Sequence, residues 1–157
     1  EEDRHLIRNS GPIVNKHARR LNDIVYDHIL EFPEAGKFFR TEDGKPDDRR
    51  IELNKQTMIT WLQGTSSAPT DAAFARYLAS VSIMHKNTPL HRPHLTAVPS
   101  RYVIGVMSFY QTAIADLLSG EMSDPDLVSR TSAAWNKLLM VELDLLLTAY
   151  LTDSKPA

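Results

Sequence analysis

Hydrophobic residues recur at the spacing of an amphipathic α-helix through most of the chain, and prolines and glycines lie between the periodic stretches. The first long stretch is predicted to begin at Ser10-Gly11-Pro12 and to end at Pro33. Residues 1–11 then form an N-terminal extension or a short pre-helix. No segment shows the alternation of a β-strand over a useful length, so the pattern predicts an all-α domain.

Four further helices are predicted after the polar connection 41–48. The charged residues of the segment 41–50 are interpreted as solvated. These helices run over Arg49–Gln63, from Thr70 or Asp71 to the residues before Pro89, over Val98–Leu118, and from Asp124-Pro125-Asp126 to about Leu151. Gly64 is the expected stop of the first of them. Residues 1–157 are interpreted as a single domain, with 152–157 as a C-terminal tail.

Composition narrows the classes of function. The absence of cysteine excludes a disulfide framework, a thiolate zinc site, an iron–sulfur cluster and thioether-linked haem, so any metal must be bound by histidine or carboxylate. A net charge of −2 gives no electrostatic footprint for nucleic acid or an anionic membrane surface. No apolar run approaches the ~20 residues that span a bilayer, and the charged N-terminus is unlike a signal peptide. We therefore expect a cytoplasmic protein without nucleic-acid or membrane partners.

One histidine, His85, lies on the apolar side of a predicted helix, at the end of a stripe that begins at Phe74. Such a histidine is more often a hydrogen-bonded core residue than a metal ligand. Tyr26 and Thr57 add hydroxyl groups to helix faces that are otherwise apolar, although each also fits an ordinary structural role. A pocket for a flat macrocycle needs a histidine on one helix and polar groups over the opposite face, and these residues supply both.

Four motifs, taken together, resemble the family of protoglobins and globin-coupled sensors. They are Val25-Tyr26-Asp27-His28-Ile29-Leu30-Glu31-Phe32-Pro33-Glu34, Asn54-Lys55-Gln56-Thr57 with Trp61-Leu62-Gln63-Gly64, Phe74 through Ser82-Ile83-Met84-His85, and Val98-Pro99-Ser100-Arg101-Tyr102-Val103-Ile104-Gly105. Their order and spacing cover about residues 20–150. The resemblance implies a globin-like fold of six to eight helices around a haem pocket. It also implies non-covalently bound haem b that binds O₂, CO or NO reversibly.

The resemblance also assigns roles to single residues. His85 would be the proximal iron ligand, and Tyr102 the tyrosine that forms a hydrogen bond near that ligand. Tyr26 and Thr57 would be the distal residues that interact with bound oxygen. The further residues expected to line the haem are Asn54, Met58, Trp61 and Val81. Asn54 is either a third distal donor or faces solvent.

The chain departs from the family pattern after the proximal histidine. The connection of residues 86–98 is longer than the family's short glycine-containing link and carries His91 and His94. Arg101 stands where the family has tryptophan. Arg92 and Arg101 are either partners of the haem propionates or surface charges.

Three functions follow in order of preference. The first is gas binding or sensing by a haem globin, without catalysis. The second is a haem-free globin-fold signalling module. The third is a haem-dependent enzyme such as an NO dioxygenase or a peroxidase, and it ranks last because the sequence offers no flavin or nicotinamide domain to deliver electrons.

A homodimer through the two C-terminal helices is also predicted. Their apolar arcs are wider than one core requires, with Met107 and Leu147 among the positions expected to point outward. The family's sensors resemble such a four-helix arrangement. Alternatively, the haem and the neighbouring helices of the same chain use all of this surface.

Overall fold

The computed structural model describes residues 1–87, 89, 92 and 94–151. It contains six α-helices and, in its described part, no strand. They are α1 (Glu2–Glu31), α2 (Pro33–Gly36), α3 (Asp48–Ser66), α4 (Ala72–Lys86), α5 (Ser100–Glu121) and α6 (Pro125–Leu151), with a 3₁₀ turn over Lys37–Phe39 after α2. The expected all-α class is confirmed. His91 and the predicted tail 152–157 lie outside the described residues.

Helix α1 begins at Glu2, so the predicted start at Pro12 is wrong. The buried stripe of Leu6, Ile7 and Val14 continues through the proline, and packing of that stripe outweighs the loss of one backbone hydrogen bond. Gly11 allows α1 to approach the end of α3 closely, because a Cβ atom added there would lie 3.0 Å from the Cβ of Ser66. Residues 1–11 are therefore part of the first long helix.

The helices form two packing units that share the core. Helix α3 packs against α1, whereas α4 and α5 pack against α6, and α1 also contacts α5 and α6. A buried hydrogen bond joins the units, since the Tyr110 hydroxyl of α5 donates to Asn22 Oδ1 of α1. Within α1, Asn22 Nδ2 donates to the Ala18 carbonyl at 2.8 Å. Because this buried amide has both a donor and an acceptor partner, its burial carries little penalty.

Part of the wide apolar arcs of α5 and α6 is used within the chain. Met107, expected to point outward, is 2% exposed, and Leu147 is half-buried against the core. The reason is that α5 contacts two helices and α6 contacts three. Helix α5 is long and apolar enough to span a membrane by length and composition alone. Core helices of soluble proteins meet the same criterion. Ile104, Met140 and Val141 remain exposed.

Candidate functional site

Helices α3 and α4 share at most a weak interface, and the space between them is called the cleft below. The two helices meet where Gly64 faces the ring of Phe74, since a Cβ atom added to Gly64 would lie 3.2 Å from Phe74 Cε2. Beyond this contact α3 packs on α1 and α4 packs on α6, and the described residues of α3 and α4 share no comparable interface. The expected helix stop at Gly64 is wrong, because α3 continues to Ser66 and the glycine instead allows the close approach of Phe74.

Helical periodicity identifies the residues that face the cleft. Along α3, Thr57 lies two turns and Leu53 three turns from the contact at Gly64. Along α4, Val81 lies two turns and His85 three turns from the contact at Phe74. Helical periodicity therefore places these residues on the face of α3 that carries Gly64 and on the face of α4 that carries Phe74. Leu53 is 66% exposed and Thr57 is exposed, whereas Val81 and His85 are half-buried. The cleft thus has a histidine on one wall and an uncovered leucine with a threonine on the other.

The imidazole of His85 is suited to act as a neutral ligand. Its Nδ1 atom is buried and has no hydrogen-bond partner among the described residues. Burial lowers the pKa of His85 below the ordinary histidine value. The ring is therefore uncharged near neutral pH, and neutral imidazole is the form that binds metals.

Several hydrogen bonds fix the end of α4 that carries this histidine. The Lys86 ammonium donates to the Ala149 carbonyl at 2.7 Å, and the Ala149 amide donates to Ser82 Oγ at 3.0 Å. The His85 carbonyl accepts from the Val98 amide at 2.8 Å. The last turn of α4 is thus attached to α6 and to the chain before α5, and this attachment positions the imidazole.

The hydroxyls predicted for the distal side lie on α1 and α3. Tyr26 is 6% exposed, and its ring packs edge-on against Phe39 with centroids 5.3 Å apart. Burial raises the pKa of Tyr26 above its ordinary value, so the phenol stays protonated, and its hydroxyl has no hydrogen-bond partner among the described residues. Thr57 Oγ1 donates to the Leu53 carbonyl at 3.0 Å. Tyr26 therefore keeps an unused donor, whereas Thr57 must rotate to provide one.

The remaining predicted residues lie in mixed surroundings. Asn54 donates to the Arg50 carbonyl at 2.8 Å, and Met58 is half-buried against the core. Trp61 is buried, with its ring edge-on to that of Tyr110, and Tyr102 packs edge-on against Phe38. Their contact with a cofactor stays a prediction, as it does for Tyr26, Thr57, Val81 and His85.

The sequence did not predict a polar cavity at the N-terminal end of α3. It measures about 400 Å³ and is lined by Asp47, Arg49, Arg50, Leu53, Asn54 and Arg92. The charges up to position 50 were interpreted as solvated, but Arg50 is half-buried and its Nε atom has no partner among the described residues. The single sequence signal was the helical spacing that places Arg50 on the same face as Leu53 and Thr57.

A buried carboxyl group, Glu142 of α6, was also missed. It is 1% exposed, and its Oε2 accepts from Trp61 Nε1 at 2.7 Å and from Thr65 Oγ1 at 3.2 Å. Its Oε1 has no partner among the described residues. Burial raises the pKa of Glu142 to about 7, with the two hydrogen bonds opposing that shift.

Comparison with known proteins agrees with this architecture. A family model described as Protoglobin matches residues 1–155. The globin domain of the Geobacter sulfurreducens globin-coupled sensor superposes with a TM-score of 0.80 and 21% identity, over 96% of this chain and 90% of that chain. None of the curated proteins matches the chain. The globin-like fold implied by the four sequence motifs is confirmed.

Proposed function

Because the chain belongs to the protoglobin family, we propose that it is a gas-binding or gas-sensing domain that holds one non-covalent haem b per chain, with His85 as the proximal ligand. The observation that carries this proposal is the neutral, half-buried His85 on the cleft wall of α4, with a buried Nδ1 that has no partner among the described residues. Leu53 lies on the α3 face that carries Gly64 and is far more exposed than a leucine in a filled core. An apolar macrocycle in the cleft would cover this leucine, so the residues present fit the group.

The protein residues have separate roles in this proposal. His85 would hold the haem iron, and the haem would supply a metal centre able to bind O₂, CO or NO. Tyr26 stays protonated, and its unused hydroxyl is the first candidate donor to a bound gas. Thr57 is the second candidate donor. The attachment of α4 to α6 holds the imidazole in place.

A titration of the haem-free protein with haemin tests the function. We expect a Soret band that saturates at one haemin per chain. Acid–butanone extraction should remove all the haem, because the chain has no cysteine to form a thioether bond. A titration without a Soret band would instead support the haem-free signalling module. Oxygen uptake by the reduced protein without turnover of peroxide or NO would separate gas binding from the enzymatic alternative.

Replacement of Tyr26 by phenylalanine is expected to speed oxygen release. The variant loses one hydrogen bond worth on the order of 1–3 kcal/mol, which corresponds to roughly 5- to 150-fold in the dissociation rate constant. Carbon monoxide carries less charge when bound, so its rate should change much less and serves as the internal control. Stopped-flow displacement measures both rates. An oxygen rate within about twofold of wild type, equivalent to ~0.4 kcal/mol, would remove Tyr26 from the distal role.

We further propose that two chains associate through the outer faces of α5 and α6. Ile104 on α5 and Met140 and Val141 on α6 are exposed apolar side chains, and the apolar window of α5 is mostly unburied in the single chain. Two such helix pairs can form a four-helix bundle with two-fold symmetry.

The substitution Val141→Glu is expected to split this dimer without removing haem. Val141 is 59% exposed, so the charge should not disturb the core of the single chain. Sedimentation should give a mass near twice 17.7 kDa for the wild type and near 17.7 kDa for the variant. Ile24→Glu, at an exposed apolar position on α1, is the matched control and should remain dimeric. A wild type that is monomeric at tens of micromolar would rule out the proposal.

A further inference from the structure

The cavity at the N-terminal end of α3 holds more positive than negative charge. Arg49, Arg50 and Arg92 line it together with a single carboxylate, that of Asp47. Asp47 Oδ2 accepts from Arg92 Nη2 at 2.8 Å, and Asp47 Oδ1 accepts from the backbone amide of Arg50 at 3.0 Å. Among the described residues, neither Arg49 nor Arg50 forms an ion pair with a carboxylate. The cavity therefore has unpaired guanidinium charge.

Arg50 is the more buried of the two unpaired arginines. Its side chain is half-buried, and its Nε atom is buried and has no acceptor among the described residues. Burial and the neighbouring charge of Arg92 lower the pKa of Arg50 below its ordinary value, with Asp47 and Tyr26 opposing that shift. Because a partly buried cation that forms no ion pair is costly, the geometry favours an anionic partner at this place.

The cavity and the cleft share Leu53. Arg50 lies about one turn before Leu53 and two turns before Thr57, on the same face of α3, at the end remote from the contact between Gly64 and Phe74. Leu53 belongs to both the cleft wall and the cavity lining. A flat apolar ligand that carries an anionic group could therefore cover Leu53 in the cleft while its anionic group pairs with Arg50.

We propose that this cavity binds the two carboxylate groups of the porphyrin, with Arg50 as the principal partner and Arg49 and Arg92 as adjacent cations. The inference rests on the proposed function, since it takes a porphyrin as the ligand of the cleft. Three guanidinium groups against one carboxylate leave two positive charges, which matches the two propionates. Arginine pairs with carboxylates through two parallel hydrogen bonds, which fixes orientation as well as affinity.

Metal-free protoporphyrin IX and its dimethyl ester provide a test that does not depend on iron or on His85. Fluorescence titration of the haem-free protein should give a Kd for the diacid at least about tenfold lower than the Kd for the ester. A factor of ten corresponds to about 1.4 kcal/mol, which is near the lower end of what one hydrogen bond to a charged group contributes. Arg50→Gln should reduce this preference to about twofold or less through weaker diacid binding. Arg20→Gln, at an exposed arginine of α1 outside the cavity, is the control and should keep the wild-type preference.

The outcomes separate this inference from the proposed function. Equal affinity for diacid and ester in the wild type, or an unchanged preference in Arg50→Gln, overturns the carboxylate site and leaves haem binding standing. A wild type that binds neither porphyrin overturns the proposed function itself. Unchanged ester affinity in Arg50→Gln verifies that the variant is folded. If Arg50→Gln also loses ester binding, the wild type is titrated with both porphyrins at increasing ionic strength. The inference requires the diacid affinity to fall while the ester affinity stays constant. The same salt dependence for both porphyrins overturns the carboxylate site.

Discussion

Replacement of His85 by alanine is expected to abolish the Soret band of the haemin-loaded protein or to alter it grossly. The variant removes the one described imidazole on the cleft wall of α4, and the remaining wall residues there, such as Val81, carry no metal-binding atom. Absorption spectra of the variant and wild type at equal haemin loading measure the effect. The attachments through Ser82 and Lys86 do not involve the His85 side chain, so α4 should keep its position.

His94→Ala is the matched control for this experiment. His94 is exposed in a turn after α4, and its removal should leave the band unchanged. His91→Ala completes the control, because His91 lies in the same connection. Imidazole added to His85→Gly should restore the band by occupying the space of the missing ring. A band retained in His85→Ala but lost in the His91 or His94 variant would transfer the ligand to the connection between α4 and α5.

The second large effect is expected from Glu142→Gln, on the pH dependence of stability. Burial raises the pKa of Glu142 from the ordinary 4.5 to about 7 in the folded state. Between these two values the unfolded chain releases the proton while the folded chain retains it, so the free energy of unfolding falls as pH rises. The contribution is fully present below pH 4.5 and is lost by about pH 7, and it amounts to about 3 kcal/mol.

Glutamine retains the oxygen that accepts from Trp61 and Thr65 but cannot ionise. Between pH 4 and pH 8 the free energy of unfolding should therefore fall by about 3 kcal/mol less in the variant than in the wild type. Denaturant unfolding followed by circular dichroism, at the same haem loading, measures the difference. Asp144→Asn, exposed on the same helix, should follow the wild type. Parallel pH profiles for wild type and Glu142→Gln would contradict the assignment of a buried, proton-binding carboxyl.

Local capping chemistry predicted two helix starts correctly. Asp71 caps α4 by accepting from two backbone amides, and Asp124 caps α6 in the same way. Pro12 and Gly64 misled the prediction because their local preferences were outweighed by partners far along the chain, the buried stripe of α1 and the ring of Phe74. Helix starts could thus be predicted where the signal and its partner are neighbours in sequence.

Periodicity placed His85 on the apolar face of its helix but could not tell a core from a cleft. Leu78, on the same predicted stripe, is buried against the interior, whereas Val81 and His85 are half-buried on the cleft side. A cleft wall and a core wall both need apolar residues at helical spacing, so the pattern is the same for both. Arg50 and Glu142 were missed for a related reason, because a charged residue is usually solvated and only the three-dimensional packing shows the exception.

The cleft between α3 and α4 has a thermodynamic consequence. Its two walls are different helices that approach each other closely at Gly64 and Phe74, so a group that fills the cleft contacts both α3 and α4. A group that binds the folded chain and not the unfolded chain stabilises it in proportion to the logarithm of its free concentration. The fraction of folded protein in the cell would then follow the supply of haem, and chains made during haem shortage would be the first to be degraded.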